Sequence, residues 1–134
     1  MKKIEAIIER TNDGTYSIYS NADNLDYLIT ATGKTVAEAK QSFEAEYEDM
    51  KKYYVSEGKP FTEVQFVYNY DTASLLSYLT KAFSLAGLSR IMGINQGQLS
   101  HYINGRRTPS ERTKIKMQQA FHNFTTELST MNFI

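Results

Sequence analysis

The sequence predicts an α+β fold, and three observations support that prediction. Alternating apolar residues recur through much of residues 1–35, which is typical of half-buried strands. Apolar residues at steps of three and four then follow over residues 36–57, as in an amphipathic helix. One more alternating segment ends at residue 70, and only helical patterns follow it. We therefore expect a small N-terminal antiparallel sheet with one packed helix, in the order β-β-β-α-β, over residues 1–70, followed by an all-α domain of about five helices over residues 71–134.

The first strands are predicted from alternation and from the turn signal between them. Residues 3–10 and 16–20 both alternate, and Asp13-Gly14 between them favours a hairpin. A third, shorter strand is expected over residues 27–32.

The long helix has clear start and stop signals. Thr35 and Glu38 fit a capping box, and Gly58 with Pro60 ends the pattern. Its apolar stripe consists of Val36, Ala39, Phe43, Tyr47, Met50 and Tyr54. Residues 62–70 alternate strictly, so we expect them to join the same sheet. The residues of that strand that share one face are Val64, Phe66, Tyr68 and Tyr70.

Composition limits the class of protein. The chain has no cysteine, which excludes disulfides and thiolate metal sites and favours a reducing cytoplasm. No apolar run is long enough to span a membrane, and Glu5 and Glu9 interrupt any signal-peptide core, so we expect neither. Residues 1–70 carry 8 Lys/Arg and 12 Asp/Glu, whereas residues 71–134 carry 7 and 3. The net charges of −4 and +4 suit a basic partner and an acidic polymer, respectively.

Residues 84–110 carry the most informative pattern, namely two short helices joined by a tight turn. Gly93 lies where the first helix must end, because glycine accepts the left-handed conformation of such ends. Asn95 is a good N-cap for the second helix, and Gly105 marks its exit. The predicted core of this helix-turn-helix is Leu88, Ser89, Met92, Gly93, Ile94, Leu99, Tyr102 and Ile103. Such a corner presents its second helix to the DNA major groove.

Residues on the outer side of the second helix are candidates for reading DNA. Glutamine can pair with adenine through two hydrogen bonds, and a glycine lets the backbone approach the groove closely. The predicted base-reading residues are Gln96, Gly97, Gln98 and His101. The predicted phosphate contacts are Arg90, Ser100, Asn104, Arg106, Arg107 and Thr108. Two alternatives stay open: Arg106 and Arg107 are surface charges at a helix end, or the helical hairpin binds nothing.

This segment resembles the Cro/C1-type (XRE) helix-turn-helix family of phage repressors. The shared residues are Leu88-Ser89, Gly93, Leu99-Ser100, Tyr102, Gly105, Arg107 and Pro109-Ser110. Ser89 replaces a usual Ala, Leu85 replaces a common polar contact, and Gly97 weakens the helix by up to about 1 kcal/mol. The resemblance implies transcription regulation by binding to double-stranded operator DNA. Since one module covers one half-site, we expect a homodimer or tetramer. The interface between the subunits is formed either by an edge strand of the first domain or by the last helix, through Phe121, Phe124 and Leu128.

The first domain resembles the HicB antitoxin family. Residues 33–39, GKTVAEA, match the Gly-x-Thr-x-x-Glu-Ala string that opens a helix there, and residues 13–16, DGTY, fit its first hairpin. Residues 24–27 lack the Pro and Gly that the family carries before its third strand. The resemblance implies a type II antitoxin that masks a small basic HicA-like ribonuclease toxin and represses its own promoter. The alternatives are a stand-alone regulator whose first domain dimerises or senses a ligand, and a protein-binding module with a vestigial DNA motif.

Catalytic chemistry has little support in the sequence. A two-metal nuclease site needs carboxylates that hold ions ~4 Å apart. Glu5 and Glu9 are about 13 Å apart along a strand, and nothing brings Asp23 and Asp26 to them. Neither His101 nor His122 lies near a nucleophile motif, so we expect no enzyme, no cofactor and no metal. Three aromatic residues are candidates either for a protein interface or for packing at the helix end: Tyr53, Tyr54 and Phe61.

Overall fold

The computed structural model describes all 134 residues and divides them into two compact units, Met1–Asp71 and Thr72–Ile134. The elements in chain order are β1 (Lys2–Arg10), β2 (Tyr16–Asn21), β3 (Thr30–Gly33), α1 (Val36–Ser56), β4 (Val64–Tyr70), α2 (Thr72–Leu79), α3 (Leu85–Met92), α4 (Gln96–Ile103) and α5 (Glu111–Ser129). None of these helices combines the length and the apolar character that a bilayer crossing requires.

The sheet of the first unit is mixed, which corrects the expected antiparallel sheet. Its strand order is β3-β2-β1-β4, in which β2 is antiparallel to both neighbours and β4 is parallel to β1. The reason lies in the connections. β1 and β3 point the same way because each opposes β2, and α1 then crosses over from β3 to β4. A helical crossover returns the chain to the starting end, so β4 runs parallel to β3 and therefore to β1.

The number of helices after the sheet is also different from the expected fold class. Four helices follow β4 rather than about five, so the observed order is three strands, a long helix, a strand and four helices. Two features account for this. The segment between α4 and α5 stays non-helical around Gly105, whose φ is 72°, and Pro109. α5 then runs 19 residues without a glycine or proline to break it.

The core of the first unit lies between one face of the sheet and α1. Ile8, Ile18 and Phe43 are fully buried there, and Phe43 meets the ring of Phe66 edge-on at 4.8 Å between centroids. The stripe predicted for α1 faces this core, with Ala39 and Phe43 buried and the other four residues half-buried. The other face of the sheet carries the alternate, mainly polar residues.

The third strand begins later than predicted, at Thr30 instead of residue 27. Tyr27 is buried before the strand starts, stacks on Phe61 at 4.8 Å and donates a hydrogen bond of 2.7 Å to the Thr62 carbonyl. Gly33 ends the strand against α1, where a Cβ would lie 2.4 Å from the Ala39 nitrogen. The chain therefore needs a glycine at this close approach.

The helices of the second unit enclose a separate core. Leu76, Leu88 and Leu99 contribute from α2, α3 and α4, and Met117 contributes from α5. α2 ends at Leu79 and does not continue into α3. The intervening residues form a turn, in which the amides of Lys81 and Ala82 bond three residues back.

Candidate nucleic-acid interface

Local hydrogen bonds set the ends of α3 and α4. The Ser84 hydroxyl accepts from the Gly87 amide at 2.9 Å, so α3 begins there, and it ends at Gly93, which has φ 68° and ψ 28°. Two residues later the Asn95 side chain accepts from the Gln98 amide at 2.8 Å and opens α4. The turn between the two helices is therefore only three residues long, residues 93–95, which fixes how they cross.

Apolar packing holds this corner rigid. The structure buries five of the eight residues predicted for the helix-turn-helix core: Leu88, Met92, Ile94, Leu99 and Tyr102. Ser89 and Ile103 are half-buried, and Gly93 is exposed at the turn. Because one side of α4 is buried in this way, its opposite side faces solvent.

The predicted base-reading residues lie on the solvent side of α4. Gln96 and Gly97 are exposed, and Gln98 and His101 are half-buried. A shallow, open concavity of about 350 Å³ is lined by Asn95, Gly97, Gln98, His101 and Arg107. The structure thus brings three of the four predicted base-reading residues together with one predicted phosphate contact.

Gln98 is held in place by the hydroxyl of a buried tyrosine. Its Nε2 donates to the Tyr102 hydroxyl at 2.6 Å, while the ring of Tyr102 is only 4% exposed. One turn of helix separates the two residues, which is the spacing at which helical side chains meet. The amide keeps its second N–H and its carbonyl oxygen for other partners.

The predicted phosphate contacts form two groups. Arg106, Arg107 and Thr108 are exposed on the segment after α4, and both arginine amides bond the carbonyl of His101. Ser100 on α4 pairs with Asn104, the residue after the helix, whose Nδ2 donates to the Ser100 hydroxyl at 3.4 Å. Arg90, the remaining member, is exposed on α3 and lines a different groove with residues of α5.

Lys116 is a cation near the turn that the sequence pattern did not indicate. Its ammonium group donates to the Gly93 carbonyl at 3.4 Å, at the end of α3. A cation there compensates the negative end of the helix dipole. The two residues are 23 positions apart and belong to different elements, so only the tertiary structure brings them together.

Gly97 has room for a side chain. A Cβ at this position would meet only Asn95 Oδ1, at the ordinary contact distance of 3.6 Å. Its backbone is helical and has no positive φ. Nothing within the chain therefore requires a glycine here, although glycine lowers helix stability by up to about 1 kcal/mol.

Two of the carboxylates considered for metal binding accept hydrogen bonds from neighbouring side chains. Glu5 accepts from Asn21 at 3.0 Å and from Asn69 at 2.9 Å, and these bonds lower the pKa of Glu5, with Asn69 the larger cause. Glu9 accepts from the Tyr19 hydroxyl at 3.0 Å. The structure has no cluster of three His, Asp or Glu side chains that would hold a metal ion.

The aromatic residues at the end of α1 separate into two kinds. Tyr54 and Phe61 pack edge-on at 5.3 Å within the cluster around Tyr27, which is helix-end packing. Tyr53 remains exposed, with the Lys59 ammonium 6.0 Å from its ring centroid.

Comparison with known proteins adds no relative to this picture. No family model, curated protein or solved structure matches the chain.

Proposed function

We propose that the chain represses transcription by binding double-stranded operator DNA through its second unit, and that it is an antitoxin whose first unit masks a small basic HicA-like ribonuclease toxin. One observation carries the DNA-binding half: Gln98, His101 and Arg107 line one open concavity beside a helix whose other side is buried. The antitoxin half is supported by the resemblance of residues 13–16 and 33–39 to HicB proteins. Both partners, DNA and toxin, belong to the cytoplasm.

Base reading follows from the chemistry of Gln98. A glutamine that pairs with adenine accepts from N6 and donates to N7. The bond to Tyr102 uses one of the two N–H groups and leaves the carbonyl oxygen and the second N–H for that pairing. The tyrosine thus orders the amide before DNA arrives, and less side-chain entropy is lost on binding.

Affinity for the DNA backbone comes from the arginines after α4. Arg106 and Arg107 are exposed and follow directly after the helix that carries Gln98. Contacts from such residues to phosphates set the orientation of the helix without reading sequence. The second half of the chain, with 7 Lys/Arg against 3 Asp/Glu, has the charge that this role requires.

Charge also supports the toxin-masking role of the first unit. Residues 1–70 carry 12 acidic against 8 basic side chains. Complementary charge speeds the encounter with a basic partner and disfavours an acidic one. A toxin that binds RNA needs a basic surface, and covering that surface would stop it from binding its substrate.

The DNA-binding proposal is tested by selection of duplexes from a random library, followed by titration of the selected duplex. Replacing Gln96 and Gln98 by Ala should weaken binding to it by about 5- to 160-fold for each bidentate pair lost. Binding to unrelated duplexes should stay the same, because it depends on phosphates. The matched control is Gln118→Ala/Gln119→Ala, which removes two exposed glutamines from α5. Equal losses in the two double variants, or no retained duplex at low salt, would contradict the proposal.

The antitoxin proposal is tested by co-expression with the product of the adjacent gene. We expect the two proteins to purify together and the antitoxin to restore growth. The Gln96→Ala/Gln98→Ala variant should still restore growth but should fail to repress the promoter, since the two roles belong to different units. If the neighbour is neither toxic nor bound, the chain is a stand-alone regulator.

A further inference from the structure

β4 forms one of the two edges of the sheet in the first unit. It pairs with β1 on one side and has no strand on the other. Open edges of this kind invite another strand, and proteins usually protect them with charged residues, proline or a bulge. β4 reads VQFVYNY over Val64–Tyr70 and carries no charge and no proline. At seven residues, β4 also lacks the protection that a very short edge strand would give.

The register shows which backbone groups this edge offers. The Asp71 amide donates a hydrogen bond of 3.2 Å to the Ile8 carbonyl of β1, so the backbone N–H and C=O groups of odd-numbered residues point towards β1. The backbone groups of even-numbered residues therefore point away from the sheet. At Val64 both outward groups are already engaged, because its N–H donates to the Tyr47 hydroxyl at 3.0 Å and its carbonyl accepts from it at 3.4 Å. Phe66 and Tyr68, in the middle of the strand, offer their N–H and C=O groups to an incoming strand.

We propose that β4 pairs with β4 of a second copy, antiparallel and centred on Val67. In this register Phe66 lies opposite Tyr68 of the second copy and Tyr68 opposite its Phe66, which forms ~4 backbone hydrogen bonds. Val67 then lies opposite Val67 in a pair without hydrogen bonds. The two sheets join into one, and α1 of each copy remains on the same face.

Side chains on the open face suit this pairing. Val67 is 43% exposed, and pairing covers it with the same residue of the second copy. Gln65, which is exposed, lies opposite Asn69 of the second copy, so two amides face each other. Side chains that lie directly opposite each other on paired strands contact each other and contribute to the stability of the pairing.

Charge favours a second copy over a basic partner at this edge. A unit with 12 acidic and 8 basic residues repels its own copy wherever its carboxylates meet. β4 carries no charge and is the longer of the two edge strands, whereas β1 contains Lys3, Glu5 and Glu9. Just outside the paired strands, Glu63 approaches Asp71 of the second copy, and the Lys51 ammonium that pairs with Glu63 offsets that repulsion. A basic protein would find no carboxylate on β4 to bind.

The proposed function would gain from this pairing, although the edge geometry does not depend on that function. A helix-turn-helix protein needs two modules to cover two half-sites. Pairing through β4 supplies two copies and uses only residues of the first unit. The inference therefore rests on the proposed function only for its biological use.

Engineered cysteines test the register, because the chain has no cysteine of its own. Opposed residues in a pair without hydrogen bonds have Cα atoms ~4.5 Å apart, which is within the range of a disulfide. Val67→Cys should therefore form a covalent dimer on mild oxidation, in the absence of DNA. Gln65→Cys alone should not, because the two Cα atoms of the substituted residue would lie about 13 Å apart along the strand. A mixture of Gln65→Cys and Asn69→Cys should cross-link. Thr32→Cys, exposed on the opposite edge strand, gives the collisional background.

Sedimentation gives the second measurement. The unmodified protein should sediment as a dimer or larger, and Val67→Lys should raise the dissociation constant at least 10-fold by placing two ammonium groups opposite each other. Thr32→Lys should leave it unchanged. A monomeric protein at 100 μM, cross-linking of Val67→Cys no faster than Thr32→Cys, or equal cross-linking of Gln65→Cys alone would overturn the pairing. Failure to bind DNA would not, since neither measurement includes DNA.

Discussion

Tyr102→Phe separates the ordering of Gln98 from its contact with DNA. The substitution removes only the hydroxyl that accepts from Gln98 Nε2 at 2.6 Å. The ring, 4% exposed in the core of the second unit, keeps its packing. Gln98 is half-buried, so its freed N–H can turn to water. Loss of one such hydrogen bond should lower the free energy of unfolding by about 0.5–1.5 kcal/mol.

The effect on DNA binding follows from side-chain entropy. A glutamine that is no longer held must be ordered when it meets the base, at a cost of about 0.5–1.5 kcal/mol, which weakens the affinity for the selected duplex by about 2- to 13-fold. Binding to a scrambled duplex should not change, because phosphate contacts carry it. The ratio of the two affinities should therefore fall by the same factor.

Fluorescence anisotropy with both duplexes, at one salt concentration, measures that ratio. Tyr19→Phe is the matched control, since it removes a tyrosine hydroxyl that donates to Glu9 in the first unit. The reasoning is refuted if Gln98→Ala lowers the ratio and Tyr102→Phe leaves it unchanged. It is also refuted if Tyr102→Phe weakens both duplexes equally.

The remaining predictions concern single residues. Gly97→Ala should stabilise the protein by up to about 1 kcal/mol in urea unfolding and weaken binding to the selected duplex, because the added methyl group meets only Asn95 within the chain but occupies the concavity. Gly33→Ala should cost about 1–3 kcal/mol in the same assay, since its Cβ would press on the backbone of α1. Arg107→Ala should weaken selected and scrambled duplexes equally and reduce the slope of log affinity against log salt by about 0.9. Hydrogen bonds from Thr11 first, and then from Thr15, lower the pKa of Asp13 from 3.8 to about 2, so its carboxylate stabilises the fold above pH 3.8 and loses that effect as pH falls towards 2. The urea midpoint of Asp13→Asn should therefore lie below that of the unmodified protein at pH 6 and meet it near pH 2, and an NMR titration of Asp13 with a midpoint at or above 3.8 would contradict this.

Helix ends could be predicted because their signals lie within a few residues. Thr35 accepts from the Glu38 amide at 3.1 Å, and Asn95 accepts from the Gln98 amide at 2.8 Å, as the cap patterns indicated. Gly93 has the left-handed conformation expected from its place at the end of α3. Each of these interactions spans three residues or fewer, so no tertiary information is needed to expect it.

The pairing partner of β4 could not be predicted, because the pairing joins residues far apart in sequence. Ile4 pairs with Phe66, and nothing in either strand identifies the other as its neighbour. The parallel direction, in contrast, follows from the helix between β3 and β4, which the expected order already contained. The predicted first residue of β3, residue 27, was wrong because of a contact between residues far apart in sequence. Tyr27 fits an alternating pattern, but its ring packs on Phe61 and takes the residue out of the sheet.

The candidate site shows the same division between local and tertiary information. Placing Gln98 on the outer side of α4 required only helical periodicity. Its bond to Tyr102 was readable in principle from the spacing of four residues, yet only the structure shows that the hydroxyl of a buried ring reaches it. Lys116 at the Gly93 carbonyl comes from another helix and has no signal in the motif.

The parallel direction of β4, which the expected antiparallel sheet missed, and its place at an open edge of the sheet have a common origin. Had β4 returned by a tight hairpin, it would have been antiparallel to its neighbour and would have followed it directly in sequence. The crossover through α1 instead carries the chain from β3, at one edge, to the far side of β1, so β4 becomes the new edge. α1 packs over the face of the sheet and reaches the outer side of β4 through the Tyr47 hydroxyl, at Val64. An uncharged strand left in that position must either be protected or be paired, and the absence of charge from Val64 to Tyr70 favours pairing.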